Sequence, residues 1–159
     1  MGYLLAIDPG CTMSAWVIMD GYHIVMSDKN TNDALLNSIG MIAADTVVIE
    51  QIESYGMAVG REVFDTCVWT GRFSQAAVHA NMDVHYLPRR TVKMNLCNSA
   101  KAKDANVSRA LIDRFAQHDL KNGKGTKKQP DWFYGFKSDI WAAYAVGVTW
   151  LDSRDGGRA

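Results

Sequence analysis

Cysteine is scarce and scattered: Cys11, Cys67 and Cys97 are odd in number and far apart, with neither a C-x-x-C pair nor a His/Cys cluster beside them. That excludes a disulfide framework and a zinc site and leaves free thiols. No apolar run approaches the roughly 20 residues of a membrane span. The first residues carry no basic segment ahead of the apolar one, so neither an anchor nor a signal peptide is expected, and a cytoplasmic location is. Internal repeats are lacking, and so is the G-x-x-x-x-G-K-[ST] of a phosphate-binding loop. "KNGKGTKKQP" (121–130) has no strand before it and the composition of a mobile surface loop, so no nucleotide cofactor is expected.

Net charge is also lacking, with 17 Lys and Arg against 17 Asp and Glu in 159 residues, but the balance is an average over unlike segments. Residues 1–88 hold 3 basic and 10 acidic residues, 89–128 hold 11 and 3, and 129–159 hold 3 and 4. A cationic stretch on an otherwise acidic body is the pattern of a phosphate-binding face. Arg89, Arg90, Lys93, Lys101, Lys103, Lys124, Lys127 and Lys128, with Lys121, are its candidate DNA contacts.

What is present is one domain's worth of alternating elements. Leu4–Ile7 is an apolar run, and Ser14–Met19 and Tyr22–Met26 flank Asp20-Gly21, a strong hairpin signal. Thr31 or Asn32 can cap a helix over about 33–43. Thr46–Ile49 is a β-branched run of the kind covered on both faces, and it ends in Glu50. A helix over about 61–80 has an apolar surface wider than one stripe, which suggests a second partner. A strand over 84–87, a helix from about Asp104 and an almost wholly apolar helix from Ser138, its expected N-cap, to about Leu151 complete the chain. Residues 152–159 are expected to be a flexible tail. The order predicts an α/β domain over 1–151: a mixed five-stranded sheet, three antiparallel strands followed by parallel ones, with helices on both faces. This is the order of the ribonuclease H-like fold.

"LLAIDPG" (4–10) sets the central question, since Asp-Pro-Gly is by itself an ordinary tight turn. Asp8 closes the first strand, Glu50 closes the fourth and Asp139 opens the last helix. Each has a plain structural role open to it: a turn residue, a strand-end charge, a partner of the helix dipole. Together they occupy the places where an α/β sheet gathers ligands. Three carboxylates meeting there would repel one another unless a cation intervened, and Mg²⁺ suits hard carboxylate oxygens. Two such ions about 4 Å apart could clamp a phosphodiester.

"LLAIDPGCTMSAWVIMD", "VVIEQIESYG" and "KSDIWAAYAVGV" resemble the three acidic blocks of the RuvC-type Holliday junction resolvases, and the chain is similar in order and length to the shorter phage-type members. "TVKMNLCNSAKAKDANV" resembles the family's Lys-x-x-x-x-Gly-x-Gly-x-Ala-x-Lys segment, through Lys93, Ala100 and Lys101 or Lys103, with Leu96 and Asn98 where the glycines belong. The resemblance implies a homodimeric, Mg²⁺-dependent endonuclease (Mn²⁺ substituting, two ions per site) that nicks two symmetric strands of a four-way junction. It implies Asp8, Glu50 and Asp139 as catalytic metal ligands, and Lys93 with Lys101 or Lys103 on backbone phosphate near the cut. Many members carry an acid or His three residues before the last aspartate. Here that place holds Phe136, and Asp131 and Glu53 are the remaining candidates for a fourth ligand.

Paired cuts require two sites about a two-fold axis, hence an isologous dimer. Trp69 and Phe73 on the 61–80 helix are its candidate interface. The aromatics Trp132, Phe133, Tyr134 and Phe136 are candidates for stacking on an unpaired base. Competing readings are another ribonuclease H-like nuclease acting on RNA–DNA hybrids, flaps or forks, and a non-catalytic DNA-binding module of the same fold. A sugar kinase or actin-like ATPase would need a second domain, for which 159 residues leave no room.

Overall fold

A computed structural model describes residues 2–156. Its strands are β1 (Tyr3–Asp8), β2 (Met13–Asp20), β3 (His23–Thr31), β4 (Ala44–Gln51) and β5 (Asp83–Pro88), and its helices α1 (Asn32–Ile39), α2 (Arg61–His79), α3 (Arg89–Cys97), α4 (Asp104–Phe115) and α5 (Ile140–Asp155). The sheet runs β3-β2-β1-β4-β5. The first three strands form an antiparallel meander and β1, β4 and β5 are parallel, as the sequence predicts. No helix among the described residues is long and apolar enough to cross a membrane, and all three cysteines are free.

The centre of the sheet is buried on both faces, which explains the unbroken apolar runs of β1 and β4. Side chains alternate, so Leu4, Ala6 and Val48 join the core under α3, α4 and α5. Leu5, Ile7, Val47 and Ile49 join the core under α1 and α2. Continuing the same alternation by one step puts Asp8 and Glu50 on the α5 face. α5 lies close against β1 and β2 because Gly147 faces them: a Cβ there would meet Met19 Sδ at 2.3 Å and Ala6 Cβ at 3.2 Å.

The turn after Asp8 is pinned from a distance. Buried Asn32 donates from Nδ2 to the Gly10 carbonyl (2.9 Å) and accepts from Ser14 Oγ (2.6 Å), and Ser14 Oγ in turn accepts from the Gly10 N–H (3.1 Å). Gly10 is required by this packing, since a Cβ would meet the Met13 carbonyl oxygen at 2.3 Å. Thr31 caps α1 through Oγ1 and the Ala34 N–H, and α1 ends at Ile39 rather than near residue 43.

Four further expectations are corrected. Ser138 does not cap α5: its φ is +49°, and Asp139 takes the N-cap position without a side-chain capping bond, so its carboxylate is not engaged by the helix end. α5 runs on to Asp155, so 152–155 are helix, not tail. Asp152 accepts hydrogen bonds from Tyr22 Oη (2.7 Å), Asn95 Nδ2 (2.8 Å) and Arg114 (2.8 Å from each Nη), which fixes that end; residues 157–159 lie outside the described residues.

The loop after α4 is built rather than loose. The Asp131 carboxylate accepts from the backbone N–H groups of Gln117, His118, Asp119 and Trp132 at 2.6–2.8 Å. Asp119 accepts from those of Asn122, Lys124 and Gly125 at 2.9–3.2 Å. The aromatic cluster beyond it is core: Phe133 and Phe136 are fully buried against Trp141 and Tyr144. Trp132 stacks on Phe115 and donates to Tyr144 Oη (3.0 Å), and only Tyr134 of the four candidate stacking residues is exposed.

Candidate active site

β1, β4 and α5 bring Asp8, Glu50 and Asp139 to one pocket, whose walls also carry Arg89, Lys93, Asp104, Ser108 and Trp141. Glu50 is deep, its side chain only 12% exposed, and Asp139 is at the rim, 51% exposed. Two cations engage the acids. Lys29 Nζ donates to Asp139 Oδ2 (2.5 Å), and Arg89 Nη1 lies 3.3 Å from Glu50 Oε1 while Nη2 bonds Asp104. Register explains why Lys29 is there. Asp8 pairs with Ala15 across β1/β2, and Ala15 pairs with Lys29 across β2/β3, so all three face the same side. Ala15 is small and buried, and the space above it is crossed by the lysine side chain.

The electrostatics match the crowding. Burial, then the neighbouring Glu50 and Asp139 charges, push the Asp8 carboxyl up to about 8, against the pull of Arg89 and Lys29. Burial also raises Glu50, opposed chiefly by Arg89. An acid held neutral by burial and by neighbouring carboxylates, in a pocket of hard oxygen donors, has the chemistry that suits a divalent cation. In the arrangement present, with Glu50 and Asp139 turned to their ion-pair partners, no three such side chains among the described residues lie close enough together to hold an ion.

Basic groups flank the pocket on two sides. A shallow depression lined by Tyr55, Arg90, Lys93 and Lys101 adjoins it through Arg89. On the other side Lys121 and Lys124 of the built loop line a groove that shares Ser108 and Trp141 with the pocket. Lys103 at the start of α4 and Lys127 and Lys128 at the loop tip are exposed. Of the predicted cationic face, Arg89 is the exception, because its guanidinium is taken up by Glu50 and Asp104. Lys29 was not among the predicted site residues.

The other candidates fall elsewhere. Asp131 is committed to four backbone N–H groups, which also hold it well below the usual carboxylate range against the effect of burial, so it is not available as a fourth ligand. Glu53 does not line the pocket, and Phe136 is core. Phe73 is fully buried under the sheet and Trp69 packs beside it with Arg72 over its ring, so these two do not form an outer face. The outward stripe of α2 is instead Phe64, Cys67, Val68, Gly71 and Val78.

A mixed sheet ordered 3-2-1-4-5, with acids at the ends of β1 and β4 and at the start of a helix packed on them, is the ribonuclease H-like fold. Over nearly its whole length the chain is similar in fold to solved RuvC structures. The Thermus thermophilus RuvC structure matches at a TM-score of 0.67 and 16% identity, covering 97% of this chain and 96% of that one. T. thermophilus RuvC in complex with Holliday junction substrate matches at 0.69 and 15%, covering 98% and 97%. No protein-family model matches the chain, and no curated protein is significantly similar in sequence.

Proposed function

We propose that the chain is a structure-selective DNA endonuclease of the RuvC type, hydrolysing phosphodiesters of four-way junctions and related branched DNA. The observation that carries this is the meeting of Asp8, Glu50 and Asp139 in one pocket between two cationic surfaces. The resemblance in fold to a protein solved with a Holliday junction substrate supports the same reading.

Asp8, Glu50 and Asp139 would hold Mg²⁺, or Mn²⁺ in its place, which supplies an activated water and charge for the leaving 3′ oxygen when bound. Lys93, on the wall shared by the pocket and the basic depression, is placed to bind the phosphate presented to the acids. Arg90 and Lys101 on one side and Lys121 and Lys124 on the other track the backbone of the strand on either side of the cut. Such contacts read shape rather than sequence, as a branch point of no fixed sequence requires. The rigidity of the Asp119–Asp131 loop keeps its lysines in place before DNA arrives, which lowers the ordering cost of binding.

Two symmetric nicks need two sites, and the exposed stripe of α2, with Phe64 62% and Val68 60% exposed, is the surface for an isologous homodimer. The test is to incubate the protein with a fixed four-way junction, a flap and an RNA–DNA hybrid in Mg²⁺, beside Asp8→Asn. Paired nicks on the junction, lost in the variant while binding persists, are expected. Equal cutting of all three substrates would point to a general ribonuclease H-like nuclease, and junction binding without cleavage to a non-catalytic module.

A further inference from the structure

We propose that Lys29 is a built-in cation of the acidic centre, taking the place of a second divalent ion, so that each chain binds one ion rather than two. The inference rests on the nuclease reading above. Lys29 stands in the same cross-strand row as Asp8, two strands away, with the small Ala15 between them. Its Nζ reaches over that gap to the rim carboxylate, 2.5 Å from Asp139 Oδ2, while its side chain remains 31% exposed. The fold therefore does not need this contact for core packing. A lysine on an edge strand has solvent open to it and is held here by charge.

Charge balance points the same way. The three carboxylates and one phosphodiester carry four negative charges. Lys29, Arg89 and one divalent ion supply four positive ones. With Asp104 and Lys93, which also line the pocket, the count becomes five charges of each sign. A second divalent ion would leave the centre with an excess of two positive charges, or of one if it displaced Lys29 from Asp139, the most exposed of the three acids. Phe136, buried where the related proteins are expected to place a fourth ligand, adds no acid to hold it.

The experiment is a Mn²⁺ titration of the full chain without DNA, followed by calorimetry and by the electron paramagnetic resonance of free Mn²⁺. It compares wild type with Lys29→Met, Lys29→Gln and Lys29→Arg, with thermal melts to show that each is folded. Wild type and Lys29→Arg are expected to bind one ion per chain. The two neutral variants should bind the first ion about tenfold more tightly, the effect of removing one positive charge from beside a doubly charged ion in a water-like dielectric, and should accept a second. Two ions in wild type, or unchanged number and affinity in both neutral variants, would overturn the proposal while leaving the nuclease reading intact. No Mn²⁺ binding by wild type would overturn both. Loss of binding in Asp8→Asn is expected and ties the counted ion to this pocket.

Discussion

Replacing Asp8 by Asn should make the ion-free protein more stable at neutral pH, although it removes the residue placed at the heart of the site. The Asp8 carboxyl is held at about 8 instead of 3.8, chiefly by burial and then by the charges of Glu50 and Asp139. An acid whose folded value is raised binds its proton more tightly in the native state. Stability is therefore full below the unfolded value and falls as pH climbs, by about 1.4 kcal/mol per pH unit, until the folded value is reached. Between 3.8 and pH 7 that amounts to about 4 kcal/mol. Water reaching the partly exposed strand end, and side-chain relaxation toward Lys29 and Arg89, reduce the expectation to about 2 kcal/mol. In a chain of this size that is roughly 4–8 °C in Tm.

Calorimetric melts of wild type and Asp8→Asn in EDTA from pH 4 to pH 9 measure this directly. Asparagine resembles the protonated acid in shape and charge, so the two melts should nearly coincide at pH 4. They should then separate in favour of the variant up to about pH 8 and run parallel above it. Subtracting one profile from the other removes the titration of distant acids common to both. Mg²⁺ should raise the Tm of wild type and not that of the variant, since only an ion bound by the native state stabilises it. A difference that does not change with pH, or a variant less stable than wild type at pH 7, would refute the assigned crowding of the three carboxylates.

Asp131→Asn should release the loop after α4. The backbone amides of residues 117–119 and 132 would exchange faster with solvent, and the stability that the depressed Asp131 carboxyl confers above its ordinary range, lost on acidification in wild type, would be absent at all pH values. Val68→Glu on the outward stripe of α2 should shift sedimentation at micromolar concentration from dimer to monomer without lowering the Tm of the subunit's core, since Val68 is 60% exposed. For junction binding, the eight cations of the face other than Arg89 (Arg90, Lys93, Lys101, Lys103, Lys121, Lys124, Lys127 and Lys128) predict that log affinity falls with log salt at a slope of roughly seven per chain. A slope near zero would remove the cationic face from the account.

The parts of the site that were legible in the sequence are those set by local rules. Asp8 and Glu50 follow runs whose alternation leaves only one face for the next side chain, and Asp139 precedes a helix whose all-round apolarity marks it as central. The parts that were not legible depend on contacts between distant segments. "KNGKGTKKQP" has the composition of a mobile loop, yet Asp119 before it and Asp131 after it fold it through seven carboxylate–amide bonds. Phe73 and Phe64 lie on the same apolar helix, and only the position of the sheet decides that the first is buried and the second outside. Arg89 stands in the cationic stretch but meets Glu50, because Pro88 ends β5 beside β4 and α3 starts at once.

Lys29 shows how narrow such a margin can be. The hairpin at Gly21 pairs Asp20 with His23 and Met19 with Ile24; carried on unchanged, that register would set residue 28 opposite Ala15. Asp28 would then face the acidic pocket and add a further negative charge to it. Instead the register shifts by one between Ile18 and Met19, so that Ile18 pairs with Met26 and every residue further along β3 turns to the other face. Lys29 comes inward opposite Ala15, and Asp28 moves into line with Trp16. One extra residue in an edge strand thus sets the sign of the charge that meets Asp139. The hairpin sequence marks the turn but not the bulge, which is why the three acids could be read from the sequence and the cation that answers them could not.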